Sequence, residues 1–342
     1  MVSWGIYIAT KYILISFLPE KWFGDSSRLI DMANNVVEGS GSYAATAAIY
    51  SFFPLWALDT IVTAVGTIFL YAACQSAKSI GAFLTISIIL LLSVPQTLLV
   101  PNKETLVILM TLAILYISRK FEGLLFFGIV LVLYISYGVL VRNYYLLIIV
   151  AWIGLKLFYK ADFILKFSMS FVFVFALILM PVEIMQQMQG QRDAANEWAI
   201  YVLHADNRTA FFNPFAPVNF VNFSVNYIYS FVILNIPLVK WWTMKEVIFT
   251  IALIGCFTAL RRSLISRSEV VRSLGLLFFS HLLVLCTFEP DLGSYFRHFT
   301  SVLAYLFPAF SLLGARTSIS RSRMRRVESV VRQNVRAESE IC

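Results

Sequence analysis

Apolar blocks separated by short polar turns run along almost the whole chain. Each is close to the roughly 17–25 residues that a helix needs to cross a bilayer. The pattern predicts spans at Ser3–Leu18, Pro54–Cys74, Ile80–Leu99, Thr105–Ser118, Leu124–Val141, Tyr144–Tyr159, Phe163–Ile184, Glu246–Leu260, Val271–Phe288 and Ser301–Leu313. Asn222–Val239 is also apolar, but Asn226, Asn235 and Pro237 break its interior and Trp241 and Trp242 follow it. That composition reads as a helix lying at the interface or re-entering the membrane. Residues 186–245 therefore form one large external loop containing amphipathic helices. The expected fold is an all-α polytopic membrane protein of about ten transmembrane helices over residues 1–315. Residues 316–342 are expected to be a basic cytoplasmic tail without fixed structure.

Composition and charge sharpen this picture. Of 342 residues, 59% are hydrophobic and 13% charged, against roughly half and a quarter in a soluble domain. Met1–Leu18 has no basic n-region and no small-residue cleavage site, so it reads as an uncleaved first helix. With both termini cytoplasmic, seventeen basic residues fall inside and nine outside, with Lys11 in the first span. This satisfies the positive-inside rule with both termini on the cytoplasmic side. The arginine-rich tail reads as an orientation signal touching anionic lipid, not as a nucleic-acid site. Cys74, Cys256, Cys286 and Cys342 lack metal-ligand spacing and read as ordinary thiols.

This threading collects a mixed-sign set of charges on the outer face, mostly at the ends of apolar segments, where an ionisable group is costly and usually functional. The first external loop carries Asp25, Arg28 and Asp31 within GDSSRLID. Asp25 or Asp31 could accept a proton from a hydroxyl, with Asp59 a third candidate, and Asp25 could instead cap a short helix. In the turn VPNKET, Asn102 can cap a helix that has Lys103 and Glu104 in its first turn. Glu104 suits the helix dipole there. Lys103 opposes it, which suits either a phosphate cradle or a lysine snorkelling to headgroups. Arg142 in LVRNYY and Arg297 with His298 in EPDLGSYFRHFTS could together clamp a pyrophosphate. Ordinary salt bridging to Asp31, Glu289 or Asp291 is the alternative for both arginines. His204 and His281 rank below His298.

The chain has no Walker loop, GxGxxG, HExxH or GxSxG motif, which argues against ATP-driven or metalloprotease chemistry. GDSSRLID, PNKE and the terminal SYFRHFTSVLAYLFPAF together resemble bacterial O-antigen and exopolysaccharide polymerases of the Wzy type, and the layout is similar to GT-C membrane glycosyltransferases. The resemblance implies joining of polyprenyl-pyrophosphate-linked oligosaccharides on the outer face of the cytoplasmic (inner) membrane, with neither cofactor nor metal. It implies an acidic catalytic residue at Asp25 or Asp31. Substrate contacts would come from Arg28, Lys103, Glu104, Arg142, Arg297 and His298. Membrane lipids, a chain-length regulator and a flippase are the implied partners. Rival readings are a flippase or transporter of the same lipid-linked sugar, and an acyltransferase using His298 as its base.

Overall fold

A computed structural model describes residues 7–9, 11–17, 23–34, 41–202 and 208–313. His204, the start of the expected first span and the basic tail 316–342 lie outside the described residues. The remainder is helical: α1 Gly24–Ala33, α2 Gly41–Tyr50, α3 Leu55–Ser76, α4 Ile80–Thr97, α5 Lys103–Ile117, α6 Gly123–Leu140, α7 Tyr144–Lys160, α8 Phe163–Ile178, α9 Val182–Glu197, α10 Phe220–Asn235, α11 Met244–Leu264, α12 Glu269–Phe288 and α13 Leu292–Ser301. An apolar helical segment, Leu303–Leu313, follows. No strand occurs among the described residues; one isolated antiparallel bridge joins Ala210 to Asp291.

Local chemistry explains where several helices begin. The side chains of Ser79, Asp162, Asn219, Ser268 and Asp291 each accept a hydrogen bond from a backbone N–H in the first turn of α4, α8, α10, α12 and α13. Asn102 and Thr105 form a reciprocal capping box on α5. Such caps satisfy amides that have no partner within the helix.

Helices α7 and α12 run antiparallel. Lys160 meets Glu269 at 3.0 Å at one end, and the Tyr144 and Phe288 rings stack 5.7 Å apart at the other. Between them Trp152 donates to the Ser273 carbonyl at 3.0 Å. The final segment lies in the centre of the bundle, with Leu303, Tyr305, Leu306 and Phe310 buried. There Tyr305, Tyr134 and His281 form a buried hydrogen-bonded chain, 2.8 Å and 2.6 Å between successive partners.

Among the described residues four helices, α3, α6, α11 and α12, are long and apolar enough to cross a membrane, and a fifth span results if α8 and Val182–Val202 are one broken crossing. That is fewer than the sequence pattern predicts. At about 1.5 Å per residue, α5 is roughly 22 Å long, short of the ~30 Å hydrocarbon core. The expected span Phe163–Ile184 also ends early. Helix α8 stops at Ile178 and the chain turns through 86° before α9, which takes up residues 182–184. Pro181 lacks an amide hydrogen and cannot continue the helix. Helix α8 has no buried residue and exposes Phe163, Phe167, Phe171 and Phe175.

Arg192 is a central tie between the segment 186–245 and the bundle. Arg192 is fully buried. It donates to the carbonyls of Cys286, Thr287 and Glu289, where α12 ends, and also to Asn213 and Ser230. A guanidinium there satisfies the last carbonyls of α12 and complements the negative end of its dipole. Asn196 adds bonds to the carbonyls of Phe211 and Pro290.

Close helix approach depends on small residues. A Cβ at Gly255 on α11 would fall within the Thr85 side chain of α4, and one at Gly275 on α12 would collide with Ser263 of α11. Gly255→Ala is expected to destabilise the protein by about 1–3 kcal/mol through overpacking, and Thr85→Ala in the same chain to recover part of the loss. Thermal unfolding in detergent and membrane abundance of the single and double variants measure both effects.

Candidate functional site

The sequence-predicted charges gather at one end of the bundle, where α4 hands over to α5, α6 to α7 and α12 to α13. They form a buried layer and a partly exposed one.

The buried layer is centred on Glu104. Its Oε1 lies 2.9 Å from Arg142 Nη2 and 2.9 Å from His298 Nε2. Arg142 Nη1 donates to the Tyr144 hydroxyl at 3.1 Å. His298 Nδ1 pairs with Glu289 Oε1. Arg142 Nη1 also lies 3.2 Å from His298 Nε2; Glu104 is closer and anionic, so Nε2 carries a proton and donates to it. Both ring nitrogens thus face carboxylates, an arrangement that favours the imidazolium form. Burial opposes that charge, but Glu289 and Glu104 outweigh it and raise the His298 pKa above its ordinary value. Burial likewise opposes the Glu104 and Glu289 carboxylates. Arg142 and His298 prevail, and both carboxyls sit below the usual range. The Arg142, Glu104 and Glu289 side chains are no more than 4% exposed. With His298 protonated, the two cations of the layer balance its two carboxylates.

The second layer opens toward solvent. Arg297 Nη1 meets Asp25 Oδ2 at 2.7 Å, with the two side chains 27% and 35% exposed. The Tyr43 hydroxyl donates to Asp25 Oδ1 at 2.7 Å. Lys103 Nζ lies 3.5 Å from the centre of the Tyr43 ring, and the Arg28 guanidinium 5.2 Å from it. Three cations thus lie around the Asp25–Tyr43 pair, and among the described residues neither Lys103 nor Arg28 has an acidic partner within ion-pair distance. Burial and the nearby Arg142 charge, against the pull of Glu104 and Asp25, bring the Lys103 pKa down to about 8. For Asp25 burial works upward, but Arg297, Lys103 and the Tyr43 hydrogen bond hold the carboxyl below its ordinary value.

Asp25, Arg28, Lys103, Glu104, Arg142, Arg297 and His298 are therefore brought together. Asp31 is not: it is exposed on α1 and makes no ion pair or hydrogen bond among the described residues. Arg142 and Arg297 are not left free as two halves of a clamp: each is engaged by its own carboxylate, Glu104 and Asp25 respectively. Asp59 lies on α3, pairing with Lys11 at 2.7 Å and accepting from Tyr12 at 2.8 Å. A shallow groove opens beside that pair, lined by Thr60, Thr63 and Thr67. Their hydroxyls are spent on carbonyls one turn back in the same helix.

Sequence reading missed Tyr43 and Tyr144, since an aromatic in a chain this rich in aromatics carries no local signal. The use of Arg192 as a helix cap was equally hidden. Glu289 entered only as a possible salt-bridge partner, and Asp291 caps α13. No group of three or more metal-ligating side chains occurs among the described residues. No family model, curated protein or solved structure matches the chain.

The buried layer carries a pH signature. His298, with its raised pKa, stabilises the fold fully below the ordinary histidine value of 6.5, and loses this as pH rises through the raised value. Glu104 and Glu289, with lowered pKa values, stabilise fully above 4.5 and lose this as pH falls. Lys103 acts in the opposite sense, its burial cost easing above about 8. Unfolding temperature in detergent should therefore be highest between 4.5 and 6.5 and decline toward alkaline pH. His298→Gln should flatten the alkaline decline, and Glu104→Ala should cost about 3–5 kcal/mol by leaving Arg142 buried and unpaired.

Proposed function

We propose that this chain is a membrane glycosyltransferase of the polymerase type. It would join polyprenyl-pyrophosphate-linked oligosaccharide units on the outer face of the cytoplasmic membrane, with both termini inside and about ten crossings, the shorter helices completing the bundle. The observation that carries this reading is the exposed layer: Arg297 paired with the Asp25 carboxylate, and Lys103 and Arg28 against the ring of Tyr43, whose hydroxyl donates to Asp25. Such a layer has positive charge to spare for an anion and one group able to take a proton.

The reaction asks for little more. The acceptor hydroxyl oxygen attacks the anomeric carbon of the donor sugar, and the bond from that carbon to the pyrophosphate oxygen breaks. The lipid pyrophosphate leaves with one additional negative charge, and the hydroxyl proton passes to Asp25. Arg297 and Lys103 stabilise the departing charge, the guanidinium through its fork of donors and the ammonium as a point charge. His298 does not serve as base in this scheme, since both its nitrogens are engaged by carboxylates. That weighs against the acyltransferase alternative.

Arg297→Ala is expected to slow transfer about tenfold to a hundredfold, the equivalent of one charge-assisted hydrogen bond of roughly 1.5–3 kcal/mol, at unchanged protein abundance. Arg297→Lys should recover part of the rate. Lys160→Ala, at the opposite end of the bundle, should leave it unchanged. Transfer of radiolabelled lipid-linked oligosaccharide by purified protein measures all three. Surface glycan in a deletion strain tests the transporter alternative: single repeat units displayed at the surface support a polymerase, and their absence supports a flippase.

A further inference from the structure

We infer that the Arg297–Asp25 ion pair is a latch that the anionic substrate opens, so that Asp25 becomes a competent base only once a pyrophosphate has taken Arg297. This rests on the reading above and adds to it an order of events. The pair is short, 2.7 Å, and its two members are the most exposed of the ion-paired groups at this end of the bundle. An incoming anion can therefore reach Arg297 without dismantling the buried layer. In the resting protein both Asp25 oxygens are occupied, Oδ2 by Arg297 and Oδ1 by the Tyr43 hydroxyl. A carboxylate held in this way is a poor proton acceptor, because each partner stabilises its charged form.

The groups acting on Asp25 come from three other helices, Arg297 on α13, Lys103 on α5 and Tyr43 on α2, and Arg28 on α1 lies 5.2 Å from the Tyr43 ring. A pyrophosphate binding among these cations draws Arg297 and Lys103 to its own oxygens. Asp25 then loses its counter-ion and gains a negative neighbour, and both changes favour uptake of a proton. The proton it accepts is the one the attacking hydroxyl must lose. Without donor the carboxylate stays latched.

The test is titration of the purified full-length protein with inorganic pyrophosphate at about pH 5.5, where Lys103 and His298 are already charged. Calorimetry in buffers of different ionisation enthalpy reports protons exchanged on binding. Wild-type protein should take up a fraction of a proton more than Asp25→Asn. The Asp25→Asn variant, with no competitor for Arg297, should bind pyrophosphate several-fold to tenfold more tightly. Arg297→Ala should lose binding at least tenfold, and Arg297→Lys should retain part of it. If pyrophosphate binds wild type and Asp25→Asn with equal affinity and equal proton uptake, the latch is overturned while the glycosyltransfer reading stands. If wild-type protein binds no pyrophosphate, that reading falls and the latch falls with it.

Discussion

The carboxylate of Glu104 shared between Arg142 and His298 is the interaction on which this end of the molecule depends. Burying any one of these charges alone would be prohibitive. The group is tolerable only because each member is compensated: Arg142 and His298 by Glu104, and His298 again by Glu289. The four residues come from three separate parts of the chain: the start of α5, the turn between α6 and α7, and the turn and first helical turns after α12. Ionic contacts of such tight geometry fix those three positions relative to one another. Replacing such a set with apolar residues can be neutral or stabilising, so its presence points to a requirement other than stability.

That requirement is visible in two dipeptides. Lys103 precedes Glu104, and Arg297 precedes His298. In each case one residue turns into the buried layer and its neighbour turns toward the exposed one. On a helix, consecutive residues do not share a face, so anchoring the inward member fixes the direction of the outward member. The neutral layer is in effect a mount that holds Lys103 and Arg297 at the opening. Tyr43 completes the outer layer from a third direction, donating its hydroxyl to Asp25 while its ring lies beneath Lys103. The division between mount and opening explains how several costly charges coexist in so apolar a chain.

Much of this was legible in the sequence at the level of place and little at the level of role. Apolar periodicity and the cap at Asn102 locate helices, and threading them predicts which charges share one end of the bundle but not which of them pair, since Arg142 meets Glu104 and Arg297 meets Asp25. Helix length is where the pattern misleads. Hydrophobicity runs on past Ile178, whereas backbone geometry ends the helix ahead of Pro181. Sequence also gives no means of deciding that Glu104 and His298 turn inward while Lys103 and Arg297 turn outward, because neighbours of similar polarity differ only in side-chain direction. Arg142 was legible as an anomaly, a basic residue on the face where the orientation bias disfavours it, but its partner lay far along the chain.

The long segment between α8 and α11 takes its meaning from the same end of the bundle. Arg192 and Asn196 hold the carbonyls of Cys286, Thr287, Glu289 and Pro290, the stretch that ends α12 and leads into α13. Glu289 lies within that stretch, and its side chain anchors His298. The backbone of Phe211 and Leu292 adds bonds between the same two regions. A helix outside the charged cluster thus sets the position of one of its carboxylates, through a guanidinium that holds Glu289 by its backbone carbonyl. Sequence variation in a segment of this kind would be constrained at Arg192 and Asn196 and free over the exposed faces of α9 and α10. The segment is a brace for the site as much as a cover over it.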